Sequence, residues 1–282
     1  MAGYYVIKGI TTVLAGFLYE VNPYIPISLS LVILIIVTII SIFFVEPVKK
    51  EKTKIDFNQF ADIKDSFKYI LKSERIKSLI LYSVIMTAMF GILDTYEISM
   101  LEELNISAKY LGILFAILGI TSSIGAKKQE NFHRKYTNKS LTILGNVLFF
   151  SCFVAGIFGV VSKHYIVGIT IIIVAYIAKY VCCGIYNALI EKYLSNFTNE
   201  EIDTKIFIAN NCIKGICSAI AGVMASFLLD RMETAYCMII VSVVFEILII
   251  LISRYMKTRV GLKPENYSKE EIKFDNLKEM YE

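Results

Sequence analysis

The sequence predicts an all-α, polytopic helical membrane protein with about eight transmembrane helices, and three observations support this fold class. Of the 282 residues, 56% are apolar and 19% are charged, whereas ordinary soluble domains have roughly 45–50% and about 25%. Apolar stretches long enough to cross a bilayer recur along the chain, and basic residues collect in alternate loops. The composition therefore excludes a disordered chain and a small disulfide-rich secreted domain.

Eight apolar stretches are predicted as transmembrane helices, because each is close to the roughly 20 residues that a bilayer requires. Uninterrupted runs such as residues 33–42 lack the strict alternation of a transmembrane β-strand, which excludes a barrel. The predicted spans are 4–21, 25–45, 77–97, 108–126, 140–161, 165–190, 206–229 and 235–255.

The positions of Lys and Arg predict the orientation of these spans. Of the 29 basic residues, 23 lie in four segments, 46–77, 127–139, 191–205 and from residue 254 to the end. Short loops rich in Lys and Arg stay in the cytoplasm, so both termini are predicted to be cytoplasmic. The net charge of +4 follows from this topology, and we do not predict nucleic-acid binding. The ratio of 24 Lys to 5 Arg is typical of AT-rich coding and indicates a bacterial plasma membrane.

The sequence contains no motif of an enzyme, cofactor or metal site. All six cysteines fall within predicted spans, where they act as small apolar residues, and their spacing matches no metal site. An HExxH motif, a GxSxG motif and a spaced Asp/His cluster are all absent. We therefore predict no catalytic activity, no cofactor and no metal.

Residues 46–76 form a charged segment between the second and third spans. Phe and Ile residues recur in it at helical spacing with Asp and Lys between them, from Phe57 to Leu71. This pattern predicts an amphipathic helix on the cytoplasmic membrane surface. A helix that packs on the cytoplasmic ends of the protein's own spans fits the pattern equally well.

The first and seventh spans are similar in sequence, which predicts an internal duplication. Residues 7–16 read IKGITTVLAG and residues 213–222 read IKGICSAIAG, with six of ten positions identical. FLYE at 17–20 recurs as FLLD at 227–230. A spacing near 206 residues, with five further spans between the copies, indicates a repeating unit of six helices.

With this repeat, the central basic linker and the six spans that follow it, the chain resembles the major facilitator superfamily of secondary transporters. Residues 101–120 are similar to the start of the family's eighth helix, and residues 133–141 resemble its short loop between the eighth and ninth helices. The resemblance implies that residues 1–45 are the last two helices of an N-terminal six-helix unit, whose first four helices the chain lacks. It implies further that 46–76 is the cytoplasmic linker, 77–258 a complete C-terminal six-helix unit, and 259–282 a cytoplasmic tail.

Polar side chains within spans are candidate functional residues, because a charge in the bilayer is costly. One polar face of the sixth span carries Tyr176, Lys179, Tyr180 and Asn187, and one face of the seventh carries Asn210, Asn211 and Lys214. The resemblance makes these spans the tenth and eleventh helices of the family, which line its central cavity. In the predicted duplication, Lys8 of the first span occupies the place that matches Lys214 of the seventh span. These eight residues are the predicted solute-binding candidates, and paired lysines favour an anionic or zwitterionic solute.

Three further predictions concern charges and packing. Glu246 and Lys214 lie at depths of about 13.5 and 12 Å from the cytoplasmic side, so they are predicted to form an ion pair as an alternative to solute contact by Lys214. Asp94 and Glu97 lie at the outer end of the third span, either as a solvated helix end or as a gate or coupling site. Small residues of the fourth span, among them Gly112, Ala116 and Gly119, are predicted to form a close helix-packing seam.

The leading functional hypothesis is bilayer transport of a small solute by alternating access, with an unspecified coupling ion. The alternative is a non-transporting remnant, or a half that must assemble with a separately encoded N-terminal unit.

Overall fold

The computed structural model describes residues 2–43, 67, 70–71, 73–136, 139–163, 165–196, 198 and 200–257. Over these residues the chain forms nine α-helices and no strand, so the predicted all-α class is confirmed. Eight helices correspond to the eight predicted spans, and α5 is a short additional helix. The helices are α1 Ala2–Val21, α2 Tyr24–Ile42, α3 Glu74–Glu103, α4 Ala108–Lys127, α5 Gln129–Tyr136, α6 Ser140–Val161, α7 Ile166–Asn196, α8 Glu200–Leu229 and α9 Thr234–Lys257.

Seven of the described helices are long and apolar enough to cross a membrane, namely α2, α3, α4, α6, α7, α8 and α9. In α1 the apolar stretch with described side chains is the shorter Gly9–Val21. The protein is therefore an integral membrane protein, as the composition predicts.

Helix α3 continues well past the apolar stretch that predicted it. Its start is fixed by Ser73, whose Oγ accepts a hydrogen bond from the Ile76 N–H at 3.2 Å, a typical N-cap. It ends only at Glu103, and Asn105 follows with a φ of 55°, in the left-handed region that Asn tolerates. The predicted end at residue 97 was wrong because hydropathy detects the apolar part of a helix and misses polar turns that continue it.

The helices that follow the linker pack into one bundle. Helix α3 lies against α8 and α9, α6 lies between α7 and α9, and α4 lies between α1 and α7. Buried apolar side chains of α3, α6, α7 and α9 form most of the common core. Helix α2 contacts α1 and has no buried residue.

Glycines let the backbones of neighbouring helices meet at two contacts. A Cβ on Gly184 of α7 would overlap the carbonyl oxygen of Ser122 in α4. Between α1 and α4, a Cβ on Gly112 would lie 2.9 Å from the Thr12 carbonyl oxygen and 3.3 Å from Gly16 Cα. The predicted small-residue seam is thus confirmed at Gly112 and Ala116, where α4 meets α1, but not at Gly119, where no described atom lies within 4 Å of a Cβ.

Two predicted segments fall largely or wholly outside the described residues. Of the linker 46–76, only residues 67, 70–71 and 73–76 are described, and Ile70 is buried in the core. The predicted amphipathic helix and the tail 259–282 therefore remain predictions.

Helix α5 is attached to the bundle through a buried histidine. His133 is fully buried, and its Nδ1 lies 2.5 Å from the hydroxyl oxygen of Tyr193 in α7. Burial, together with the positive charge of Lys192, lowers the pKa of His133 below its ordinary value of 6.5. The imidazole is therefore neutral at neutral pH.

The Gly184 contact predicts a packing defect on substitution. Gly184→Ala is expected to destabilise the bundle by about 1–3 kcal/mol, because the added methyl group meets a carbonyl oxygen of the neighbouring backbone. Thermal unfolding in detergent, followed with a thiol-reactive dye that reports exposure of the buried cysteines, measures the loss. Gly119→Ala is the control, since no described atom lies within 4 Å of a Cβ there. Equal melting temperatures for the two variants would contradict the contact.

The buried His133 predicts that α5 detaches in acid. Because its folded-state pKa is lowered, the detached state binds more protons as pH falls through 6.5, and the docking contribution is lost below that pH. Hydrogen exchange of the α5 amides, corrected for the intrinsic rate, should be faster at about pH 5.5 than at about pH 7.5. His133→Phe should remove this difference. Unchanged protection of the parent chain at both pH values would refute it.

Candidate functional site

A cavity of about 370 Å³ is lined by residues of α1, α3, α4 and α7. Its wall combines charged, polar and aromatic side chains with glycines. The lining residues are Gly9, Thr12, Phe90, Asp94, Ile98, Phe115, Gly119, Ser122, Lys179, Tyr180, Cys183 and Asn187. Gly9 and Thr12 come from the segment before the linker and the other ten from the segment after it, so both sides of the linker contribute to the wall.

Lys179 on α7 is held between two carboxylates of α3. Its Nζ lies 2.6 Å from Asp94 Oδ1 and 2.5 Å from Glu97 Oε2. Asp94 and Glu97 are three residues apart on a helix, so they lie on one face and reach the same ammonium group. An ammonium with two carboxylate partners can remain charged although its side chain is only 2% exposed.

The two carboxylates have different surroundings. The side chain of Asp94 is 59% exposed and lines the cavity. The side chain of Glu97 is 1% exposed, and its Oε1 has no hydrogen-bond partner in the described structure. With all three groups ionised, the cluster carries a net charge of −1. The solvated-end alternative is therefore wrong for Glu97, because α3 continues beyond residue 97 and buries its side chain.

The polar face of α7 is divided between the cavity and the core. Tyr180 and Asn187 line the cavity, and the ring centre of Tyr180 lies 5.2 Å from Lys179 Nζ. Asn187 Nδ2 donates to Cys183 Sγ at 3.4 Å. Tyr176 is buried away from this wall, with its hydroxyl 3.9 Å from Met238 Sδ in α9.

The candidates on α8 and α1 do not join the described wall of this cavity. Asn210 is buried against α3, with its Oδ1 3.5 Å from Ser83 Oγ, whereas Asn211 is exposed and Lys214 half-buried. The side chain of Lys8 lies outside the described residues. Among the predicted candidates, the structure therefore brings together Lys179, Tyr180 and Asn187.

The predicted ion pair between Lys214 and Glu246 is not formed. Neither side chain has an ion-pair partner among the described residues, and the buried Oε2 of Glu246 lacks a hydrogen-bond partner there. The prediction matched depths along the two helices, but α8 packs mainly on α3, α9 packs on α6 and α3, and α8 and α9 contact each other little. Equal depth therefore does not bring the two side chains together.

Several cavity residues carried no signal in the sequence. Phe90, Phe115, Thr12 and Ser122 are ordinary residues of transmembrane helices, and their shared position depends on how three helices pack. Asp94 and Glu97 did carry a signal, since they are acidic residues near an apolar span and three positions apart. What the sequence did not indicate is that Lys179, more than 80 residues away, is their partner.

Comparison with known proteins agrees with the family resemblance. Over 253 residues the chain is 24% identical to the uncharacterized MFS-type transporter YxaM of Bacillus subtilis (strain 168), which covers 86% of this chain. The chain spans 60% of the length of that relative. No protein-family model and no solved structure matches the chain. The relative, together with the helical bundle and its apolar spans, confirms the predicted resemblance to the major facilitator superfamily.

Removing the central ammonium should destabilise the bundle strongly. Lys179→Met is expected to cost about 3–5 kcal/mol, because Glu97 becomes a buried charge without compensation. The double variant Lys179→Met with Glu97→Gln should recover most of this loss. Thermal unfolding in detergent measures both.

The matched control is Lys163→Met, since Lys163 makes a partly exposed bridge to Glu103 at 3.4 Å. That change should cost less than about 1 kcal/mol. A double variant that melts no higher than Lys179→Met alone would show that Glu97 does not depend on Lys179.

Proposed function

From the resemblance to an MFS-type transporter, we propose that this chain takes part in membrane transport of a small solute, with the cavity at Lys179 as the solute site. The mechanism is alternating access, in which two helical units rock about a binding site near the middle of the membrane. The role is non-enzymatic, and both termini face the cytoplasm of a bacterial plasma membrane.

The observation that supports this proposal is the composition of the cavity wall. The wall is shared by α1, which precedes the linker, and by α3, α4 and α7, which follow it. A site at the junction of two units opens to one side or the other when the units rock, as alternating access requires.

Within this site we assign solute contact to Tyr180 and Asn187, and coupling to the cluster of Asp94, Glu97 and Lys179. Two ionised carboxylates around one ammonium carry a net charge of −1, and the binding of a single proton neutralises it. Tyr176 and Asn210 are assigned to helix packing, because their partners are Met238 and Ser83.

A second candidate function, in which the chain works only after assembly with another helical unit, rests on the internal repeat. In α1, Gly9 and Gly16 pack on α4, at Ala116 and Gly112. Their equivalents in α8, Gly215 and Gly222, have no described atom within 4 Å of a Cβ. Helix α8 thus exposes the face that its counterpart uses for a helix contact, and Asn211 lies beside it.

Flux through reconstituted protein tests the proposed function. The full chain is placed in liposomes that contain a pH-sensitive dye and is challenged with gradients of organic cations, organic anions, amino acids and sugars. We expect at least one class to produce a saturable, protein-dependent flux, and Glu97→Gln to reduce the accompanying proton movement at least about tenfold. Protein-free liposomes set the background.

If no class gives flux above that background, transport by the chain alone is rejected. The assembly alternative then predicts that Gly222→Trp, on the open face of α8, abolishes solute transport by the cells of origin. The neighbouring Val223→Trp should leave that transport intact. Equal effects of the two changes would reject assembly through this face.

A further inference from the structure

The charge of the cavity wall indicates which solutes it accepts. Asp94 and Lys179 are the charged residues of the cavity lining, and the buried Glu97, which is not part of the lining, contacts Lys179. Because the buried Glu97 already neutralises the ammonium group, the charge presented to a solute is the exposed carboxylate of Asp94. An anion would add a third negative charge to this cluster, and like charges at such distances repel strongly.

Aromatic rings in the cavity wall also favour a cationic solute. Phe90, Phe115 and Tyr180 line the same cavity, and a cation over an aromatic face is attracted by the ring. The protein already uses this arrangement, since the ammonium of Lys179 lies 5.2 Å from the ring centre of Tyr180 as well as beside two carboxylates. A second ammonium entering the cavity would find a carboxylate and aromatic faces of the same kind.

Charge balance in the occupied site also favours a cation. A monovalent cation on Asp94 leaves Lys179 paired with Glu97, so each positive group has one carboxylate and the site is neutral. The volume of about 370 Å³ lies at the lower end of the range for small-molecule pockets. Apolar side chains such as Ile98 and Phe115 can enclose an apolar body attached to the cationic group.

We propose that this cavity binds a small monovalent organic cation, with its charged group on Asp94 and its apolar part among Phe90, Phe115 and Tyr180. The proposal rests on the assignment of the cavity as the solute site, and it replaces the anionic or zwitterionic solute that the lysines of the sequence predicted. Lys179 then competes with the solute for Asp94. The bound solute displaces the ammonium of Lys179 from Asp94, and the contact between Lys179 and Glu97 persists.

Three matched probes test the proposal without requiring transport. Benzyltrimethylammonium, phenylacetate and benzyl alcohol share an aromatic ring and are respectively cationic, anionic and neutral. Binding to the full chain in lipid nanodiscs is measured by titration calorimetry and by the rise in melting temperature. We expect saturable binding of benzyltrimethylammonium at least about tenfold tighter than binding of the other two, because its charge is attracted by the Asp94 carboxylate and by the aromatic faces.

Two variants separate the carboxylate from the rings. Asp94→Asn should weaken cation binding at least about tenfold, and Phe115→Leu, which keeps an apolar side chain but removes a ring, about three- to tenfold. Glu103→Gln removes a carboxylate at the outer surface, where its partners are Lys163 and Thr234, and should leave the affinity unchanged. Melting of each variant without probe verifies that it folds. If Asp94→Asn is unstable, Asp94→Ser takes its place.

The result that overturns the proposal is tighter binding of phenylacetate, or a cation affinity that Asp94→Asn or Asp94→Ser does not lower. Failure of this inference is distinct from failure of the proposed function. Flux of anions without cation binding would reject the cation site and keep transport, whereas cation binding without any flux would keep the site and reject transport by the chain alone.

Discussion

The ammonium of Lys179, buried between Asp94 and Glu97, is the interaction on which the arrangement of this bundle depends. A lysine inside a membrane domain is costly unless carboxylates compensate its charge, and here two carboxylates come from adjacent turns of one helix. The pairing fixes the rotation of α3 and α7 about their own axes, because only one face of each helix carries these groups. It also leaves one carboxylate exposed to the cavity, so the same interaction that stabilises the helix pair determines the charge of the site.

Small residues determine how closely the cavity can be enclosed. Gly184 brings the backbone of α7 against α4, and Gly112 does the same for α4 and α1. Because these backbones meet directly, α4 holds α1 near α7, and Thr12 reaches the same space as Lys179. The wall is therefore assembled from segments on both sides of the linker.

The sequence predicted the properties that depend on hydropathy and on the spacing of polar residues along a helix. The eight helices follow from hydropathy, and the polar face of α7 follows from helical spacing. Pairing between helices could not be predicted in this way, as two cases show. Lys214 and Glu246 lie at matching depths and do not meet, because α8 and α9 both pack on α3. Lys179 and Glu97 do meet, because α3 continues past the apolar stretch and turns its acidic face toward α7. Depth is a one-dimensional quantity that the sequence contains, whereas lateral position and rotation arise only when all helices pack together.

The double contact of Lys179 also has a mechanical consequence. An axial rotation of α3 relative to α7 would move both carboxylates away at once and leave an ammonium in apolar surroundings, so the two helices resist independent rotation and behave as one stiff element. Helices α1 and α4 are joined differently, because their backbones meet through Gly16 and Gly112 and the Glu20 carboxylate accepts a hydrogen bond from the Lys109 N–H at 3.3 Å. The pair α3–α7 is therefore expected to move as one element in any rearrangement of the bundle.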